Sequence, residues 1–223
     1  MKDKRAAIIL QILHETFAIP KGGKTKHDPF ETLIITIISQ NTTDRNTERA
    51  FERLSKRFEI KPEVLAKAET SYIEDALRTA GLYRSKTKTI KKVSKIILEE
   101  FEGSMERLLS LPLDEARNAL IQMPGVGPKT ADVVLLFSTG QPTIPVDTHV
   151  NRVSKRLGFA PGNGEYETIR ASLQSLYDQR DFLAVHLLLI AHGRRYCKAR
   201  RPLCEQCPVN TKCPSRGVWN DKA

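Results

Sequence analysis

The 223-residue chain carries 36 Lys and Arg against 26 Asp and Glu, with 40% hydrophobic and 6% aromatic residues. This length allows one large domain or two small ones, and the hydrophobic fraction supports a mainly aliphatic core. No apolar run approaches the ~18 residues needed to span a bilayer, which argues against an integral membrane protein. The net charge of +10 favours a polyanionic partner, because clustered cations displace counterions from phosphates.

The first segment, MKDKRAAIILQILHETF, has a basic start followed by an apolar stretch. His14 and Glu15 interrupt that stretch, and no small-residue cleavage site follows it. These features are typical of an amphipathic helix rather than a secretory signal peptide. We therefore expect a soluble, intracellular, cytoplasmic protein that makes no contact with a membrane.

Helix signals dominate the rest of the chain, and almost no strand pattern is present. The segments Asp28–Glu31 and Ser71–Glu74 read as capping boxes, and Gly81 is placed to end the second helix. The helix after Asp28, FETLIITIISQ, is apolar enough to be buried on most sides. We predict an all-α protein of about eleven helices. Further predicted helices are 43–57, 62–69, 84–101, 104–110, 113–122, 128–138, 147–157, 165–176 and 181–196.

The most specific internal stretch is LDEARNALIQMPGVGPKTADVVLLF, residues 113–137. Two helical patterns meet at a turn in which Gly125 and Gly127 flank Val126, which predicts a tight turn with positive φ. Unpaired turn amides at the positive end of the second helix would form a phosphate cradle. The alternative is a plain helix–turn–helix corner. The full pattern resembles the helix–hairpin–helix motif, a sequence-independent clamp on the DNA backbone, so Gly125, Val126 and Gly127 are predicted DNA contacts.

Lys129 and Asp147 are candidate catalytic residues. Lys129 follows the start of the second hairpin helix, where the helix dipole and partial desolvation both disfavour the ammonium form and favour a nucleophilic amine. A phosphate contact or a solvated lysine is the alternative. Asp147 precedes a helical pattern, which predicts an N-cap. The functional hypothesis is a carboxylate that moves protons or stabilises a developing cation, and the two roles are compatible. His149 is expected to serve structure or DNA contact rather than catalysis.

All four cysteines lie within CKARRPLCEQCPVNTKC, residues 197–213, spaced C-x6-C-x2-C-x5-C. A disulfide framework is disfavoured in an intracellular-looking chain, so four thiols in one short loop indicate a metal centre. Zinc and a [4Fe–4S] cluster both accept four cysteines, and the uneven spacing favours the cluster. Residues 194–216 also hold seven Lys or Arg against one acid, Glu205. The predicted ligands are Cys197, Cys204, Cys207 and Cys213.

From about residue 28 to residue 213 the chain resembles the endonuclease III family of DNA glycosylases. The resemblance rests on MPGVGPKTADVVL, VDTHV and HGRRYCKARRPLCEQCPVNTKC, and on their order and separation. It implies a two-lobed all-α fold with a DNA cleft between the lobes. One lobe would be a six-helix barrel, 23–138, ending in the hairpin 113–138. The other would combine 1–22 with 139–223 and carry the [4Fe–4S] cluster on loop 197–213.

The resemblance also implies the chemistry. Lys129 would attack the anomeric carbon of a flipped, damaged nucleotide and form a Schiff base, with Asp147 assisting, and β-elimination would cut the strand 3′ to the abasic site. The implied partner is double-stranded DNA containing damaged bases, chiefly oxidised pyrimidines, or abasic sites. The enzyme would be a nucleoid-associated monomer. The cluster would be structural, ordering a loop that displays Lys198, Arg200 and Arg201 to the phosphates.

Two positions concern insertion into the duplex. In SQNTTD, residues 39–44, Asn41 stands where the family often has Gln, whose side chain is implied to fill the gap left by the flipped base. The shorter side chain puts the opposite-base contacts and the substrate range in doubt, although the reaction is unaffected. Leu82 matches a family residue that wedges into the duplex, and its alternative role is packing at a helix end.

Three alternatives remain at this point. An adenine glycosylase that acts on mispairs shares the hairpin, the aspartate and the cluster, but typically lacks the hairpin lysine and has a further C-terminal domain. A thymine mismatch glycosylase of the same fold is disfavoured by the same Lys129. A non-catalytic DNA-binding module would explain the charge and the hairpin, but it gives no reason for Lys129 and Asp147 together.

Overall fold

The computed structural model describes residues 3–18 and 28–218, and within these ranges it contains twelve α-helices and no strand. The predicted all-α class is therefore confirmed. The chain divides into two compact units. We call residues 28–141 the internal unit, and residues 3–18 with 142–218 the terminal unit.

Eight helices form the internal unit, and the remaining four belong to the terminal unit. Short 3₁₀ turns cover Arg78–Ala80, Gln179–Asp181, Cys204–Gln206 and Asn210–Lys212. The internal helices are α2 (Pro29–Ser39), α3 (Asp44–Arg57), α4 (Pro62–Lys67), α5 (Thr70–Leu77), α6 (Tyr83–Glu100), α7 (Met105–Leu109), α8 (Leu113–Gln122) and α9 (Pro128–Val134). The terminal helices are α1 (Lys4–Thr16), α10 (Thr148–Arg156), α11 (Tyr166–Leu176) and α12 (Phe182–Arg195).

Helix α2 lies at the centre of the internal unit. Its residues Leu33, Ile34, Ile37 and Ile38 are all 0% exposed, as its apolar sequence predicted. It contacts α3, α6, α7 and α9. Each such side chain contributes about 1.5–3 kcal/mol through burial, so α2 anchors the helices around it. The loop that follows α2 consequently starts from a rigid position.

The helix ends show which of the capping predictions from the sequence are correct. Asp28 caps α2 as predicted, because its Oδ1 accepts the Glu31 N–H at 2.9 Å. Gly81, with φ of 64°, ends the turn after α5, also as predicted. The predicted capping box at Ser71 is wrong: α5 starts one residue earlier, and the Ser71 hydroxyl donates to the Glu69 carboxylate at 2.6 Å. Ser71 therefore lies inside the first turn and cannot be its cap.

An ion pair that sequence reasoning missed joins the two hairpin helices. Arg117 on α8 donates Nε to Asp132 Oδ1 at 2.9 Å and Nη2 to Oδ2 at 3.1 Å, and Asp132 on α9 is 0% exposed. Removing one partner of such a buried pair costs about 3–5 kcal/mol. The pair therefore fixes the crossing of α8 and α9. The predicted helix 128–138 is present as α9 followed by a π-helical turn, Leu135–Thr139.

In the terminal unit, α1 packs against α12, and α12 packs against α10. The buried face of α1 is Ala6, Ile9 and Leu13. Arg5 extends from α1 and donates to the Leu157 carbonyl at 2.8 Å and the Lys212 carbonyl at 3.1 Å. The first helix thus supports the cysteine segment. Over the ranges the structure describes, no helix is long and apolar enough to cross a membrane.

Candidate active site and nucleic-acid interface

The turn between α8 and α9 requires glycine at one position and not at the other. Gly125 has φ of 74°, and a Cβ there would lie 2.8 Å from Thr89 on α6. Gly127 has an extended backbone, with φ of −92°, and a Cβ there would meet nothing within 4 Å. Packing of the described residues therefore explains Gly125, whereas Gly127 faces open space.

The central residue of the turn corrects one prediction. Val126 is only 4% exposed and packs in the core, and its N–H donates to the Met123 carbonyl at 3.1 Å. The sequence predicted an unpaired amide that points outward at this position, and that prediction is wrong for Val126. The first turn of α9 has no side-chain cap, so a phosphate cradle would have to use the amides of that turn.

Lys129 occupies the second position of α9 and is half-buried. The helix is short, but its N-terminal end still carries positive partial charge close to the lysine. The α8–α9 ion pair holds this helix start in place. The structure thus places one amine on a rigid corner of the internal unit.

Three exposed non-glycine residues of the internal unit have left-handed backbones. Asn41 follows α2 with φ of 53°, Leu82 precedes α6 with φ of 47°, and Glu102 follows α6 with φ of 54°. Leu82 is also 63% exposed. A left-handed backbone is uncommon for a residue such as leucine. Such conformations cost about 1–3 kcal/mol each and cluster at functional sites. Gln40 connects the first loop to the hairpin, since its Nε2 donates to the Gly125 carbonyl at 3.0 Å.

Asp147 is the N-cap of α10 in the terminal unit. Its Oδ1 accepts the Val150 N–H at 2.7 Å. Among the residues described, we find no hydrogen bond to its Oδ2. His149 has a structural neighbourhood: its Nδ1 lies 3.1 Å from Arg152 Nη2, and Gly193 packs so closely that a Cβ would sit 3.0 Å from its ring.

The four cysteines converge on one pocket of the terminal unit, together with His192, Tyr196 and Arg156. In the described part of the chain, no three His, Cys, Asp or Glu side chains are close enough to hold a single metal ion. The four thiols line a common space, and a [4Fe–4S] cluster takes four cysteine ligands.

The electrostatics of the pocket also fit a cluster. Burial raises the pKa of the Cys207 thiol to about 11 and raises that of Cys213 as well. Thiolate ligation would require these thiols to lose their protons, and a bound cluster would supply the positive charge that favours the thiolate form. His192 lies 3.8 Å from Cys207 Sγ, and burial lowers its pKa to about 4, so it is neutral. The residues present thus fit a thiolate-bound cluster.

Two arginines of α10 hold the loop that begins at Cys197, and sequence reasoning missed both. Arg152 Nε donates to the Cys197 carbonyl at 2.9 Å. Arg156 is 7% exposed and donates to the Lys198 carbonyl at 2.6 Å and the Ala199 carbonyl at 3.1 Å. Their spacing of four residues on one helix was the available signal. As a result, Lys198, Arg200 and Arg201 project from a braced loop and are exposed.

The structure therefore groups the predicted residues in two sets. Asn41, Leu82, the hairpin turn and Lys129 belong to the internal unit, and Asp147, the cysteines and the loop cations belong to the terminal unit. Two helices joined by a glycine turn, with an amine at the start of the second helix, define the class as a helix–hairpin–helix protein.

Comparison with known proteins narrows this class. Residues 34–179 match the HhH-GPD superfamily base excision DNA repair protein, and residues 197–213 match the iron-sulfur binding domain of endonuclease III. Endonuclease III of Sulfolobus acidocaldarius is 38% identical over 192 residues, covering 86% of this chain and 83% of the relative. Endonuclease III of Escherichia coli is 35% identical over 212 residues, covering 95% of each chain.

A solved structure of a trapped endonuclease III–DNA covalent intermediate, an estranged-adenine complex, superposes with a TM-score of 0.81. It is 31% identical, and the match covers 95% of this chain and 96% of that one. The chain belongs to the endonuclease III family. It is a base excision repair DNA glycosylase and AP lyase that binds DNA and carries a [4Fe–4S] cluster.

Proposed function

We propose that this enzyme removes oxidised pyrimidines from double-stranded DNA with Lys129 as its nucleophile and Asp147 as its catalytic carboxylate. The observation that carries the proposal is the position of Lys129, a half-buried amine at the start of the second hairpin helix. A hairpin that binds phosphates without reading bases brings such an amine to any site along the duplex.

The reaction begins with extrusion of the damaged nucleotide, because the glycosidic carbon is poorly accessible within a stacked duplex. The Lys129 amine attacks the anomeric carbon, and the bond to the base breaks with its electron pair leaving on the base. Asp147 accepts the proton that Lys129 must lose and stabilises the positive charge on the sugar. Its Oδ2 is the oxygen available for this, since Oδ1 caps α10.

The sugar ring then opens: the bond between the anomeric carbon and the ring oxygen breaks, the ring oxygen takes up a proton, and the nitrogen lone pair forms the imine from which the strand is cut. Loss of a proton from the carbon beside the imine expels the 3′ phosphate by β-elimination, and water then releases Lys129 from the sugar fragment. The amine is the nucleophile that displaces the base, and the imine that it forms is the electron sink for the β-elimination, which explains why one residue serves both the glycosylase and the lyase reactions.

The remaining predicted residues support DNA binding in this proposal. Gly127 lets the DNA backbone approach closely, which accounts for a glycine that no packing contact requires. Asn41 fills the space left by the flipped base, and Leu82 wedges between neighbouring bases. The cluster, held by Cys197, Cys204, Cys207 and Cys213, supplies four metal–sulfur bonds that fix the basic loop.

The proposed organisation follows the two units. The six-helix barrel would comprise 23–138, and the cluster domain would comprise 1–22 with 139–223. We propose a monomer, because one chain contributes every residue assigned to the reaction. We also propose that the protein acts at the nucleoid within the cytoplasm, where its DNA substrate would lie.

A panel of duplexes that each contain one lesion tests the proposal. With borohydride present, duplexes with a ring-saturated or oxidised pyrimidine are expected to give a covalent protein–DNA adduct, and without borohydride a strand cut. A preference for mispaired adenine or thymine would contradict the lesion assignment. Binding without any adduct, even at a preformed abasic site, would identify a non-catalytic module instead.

The basic loop makes a separate prediction about affinity. The double variant Lys198→Ala/Arg200→Ala should weaken binding to all sequences and lower the slope of log affinity against log salt by roughly 0.9 per lost phosphate contact. Fluorescence anisotropy over a salt series measures this slope. Lys56→Ala is the matched control, because Lys56 pairs with Glu52 on α3 and should leave the slope unchanged. An unchanged slope in the double variant would remove the loop from the interface.

A further inference from the structure

Lys86 is buried in the internal unit although its amine is a strong base. It is 4% exposed and lies on the same face of α6 as Ile90, Val93 and Ile97. Its Nζ donates to the Ile38 carbonyl at 2.8 Å and to the Ala80 carbonyl at 2.7 Å. Burial lowers its pKa, so desolvation opposes the charge. An apolar side chain of similar length would avoid this cost, which calls for a reason beyond packing.

The two carbonyls identify that reason. Ile38 lies in the last turn of α2, three residues before Asn41, and Ala80 lies two residues before Leu82. Each carbonyl is near the negative end of a helical segment, where a cation is stabilised. One ammonium group thus bonds simultaneously to the backbone just before Asn41 and to the backbone just before Leu82, both of which are exposed and left-handed.

The backbone of Lys86 makes a third connection. Its N–H donates to the Leu82 carbonyl at 3.0 Å, as the first hydrogen bond of α6. Leu82 is therefore held from both sides, through its own carbonyl and through Ala80. Because Asn41 is tied to the same side chain through Ile38, the separation of the two loops depends on Lys86. A methionine could fill the volume but could not set this distance.

We propose that Lys86 is a positioning residue that fixes the Asn41 and Leu82 loops relative to each other, so that both enter the duplex in one step. The inference rests on the proposed function, which assigns those two residues to insertion. Lys86 itself touches neither the DNA nor the reacting atoms. Its loss should therefore impair insertion and base flipping while leaving the Lys129 chemistry intact.

A fluorescence experiment measures insertion directly. A duplex carries 2-aminopurine opposite the lesion, and the protein carries Lys129→Ala so that no chemistry follows binding. Insertion unstacks the reporter base and raises its emission. Adding Lys86→Met should reduce this rise strongly. Adding Lys91→Met should not, although Lys91 also lies on α6 and donates its Nζ to a backbone carbonyl, that of Ala68, away from both loops.

Kinetics in the otherwise unmodified enzyme provide the second measurement. Since a misplacement of about 1 Å can cost 10²-fold, Lys86→Met should lower lesion excision by between about tenfold and a hundredfold. Strand cleavage at a preformed abasic site should fall much less, because such a site is easier to extrude. A merely destabilised protein would lose both activities alike. In a Leu82→Ala background the effect of Lys86→Met should shrink, since both act on the same step.

The possible outcomes test the positioning role of Lys86 separately from the proposed function. If the unmodified enzyme forms no borohydride adduct, the proposed function fails whatever Lys86 does. If it forms the adduct but Lys86→Met matches Lys91→Met in fluorescence and kinetics, only the positioning role is overturned. Should Lys86→Met fail to fold, Lys86→Gln takes its place under the same criteria, because its amide can reach one carbonyl but cannot hold two.

Discussion

Lys129→Ala is expected to abolish the borohydride-trapped adduct and strand cleavage at abasic sites, while binding to the same duplex persists. The physical reason is that the imine requires a primary amine at that position, and no neighbouring group on α9 can replace it. Gel analysis of the trapped adduct measures the covalent step, and anisotropy measures binding. Because Lys129 lies within the hairpin, a modest loss of affinity is expected from the lost cation.

Lys129→Arg is the discriminating control for this prediction. A guanidinium keeps the positive charge and can contact a phosphate, but it stays protonated and cannot attack carbon. If Lys129 only contacted phosphate, the Arg variant would retain strand cleavage. If Lys129 is the nucleophile, Arg and Ala variants should both be inactive, although Arg should bind DNA more tightly than Ala. Undiminished cleavage in either variant would require a different amine.

The features that were predictable from the sequence are local ones. The hairpin was predictable because turn glycines, a helix-starting proline and two apolar periodicities occur within 25 consecutive residues, 113–137. The cysteine pocket was predictable for the same reason, since its donors lie within residues 197–213. Asp147 was predictable as an N-cap because capping depends on the next three residues, and the structure confirms that bond.

The features that were missed connect residues distant in sequence. The bond between Lys86 and Ile38 spans 48 positions, and that between Arg156 and Lys198 spans 42. Nothing local distinguishes a buried lysine from a solvated one, except that Lys86 shares the apolar register of Ile90, Val93 and Ile97. The wrong expectation for Val126 has a different origin: the bond from its amide to the Met123 carbonyl is local, but it depends on the exact conformation of the turn.

The strained residues link these two kinds of information. Asn41 and Leu82 were noted from family resemblance, and their left-handed backbones were not predicted. Asparagine adopts that conformation more readily than most residues, whereas leucine rarely does. The structure shows the hydrogen bonds that hold these two loops. Gln40 bonds to the hairpin turn, and Lys86 bonds to the carbonyls that precede Asn41 and Leu82. Long-range hydrogen bonds thus maintain the strain at the surface proposed to enter DNA.

Asp147→Asn is expected to lower turnover on a lesion duplex by about 10²–10⁴-fold with little change in DNA affinity. Asparagine caps helices about as well as aspartate, so α10 and its grip on the cluster loop should remain intact. What disappears is the negative charge that, in the proposed mechanism, accepts a proton from Lys129 and stabilises the sugar cation. Single-turnover kinetics measure the chemical step, and thermal unfolding measures the integrity of the fold.

Asp147→Ala distinguishes the capping role of this carboxylate from its proposed catalytic role. Alanine removes the cap as well as the charge, which should cost about 1 kcal/mol of stability beyond the Asn variant. A catalytic carboxylate predicts that Asn and Ala variants lose turnover equally but differ in stability. A purely architectural Asp147 predicts the opposite, with the Asn variant active and only the Ala variant impaired. Turnover that follows stability across the pair would therefore remove Asp147 from the proposed mechanism and leave Lys129 without its proton acceptor.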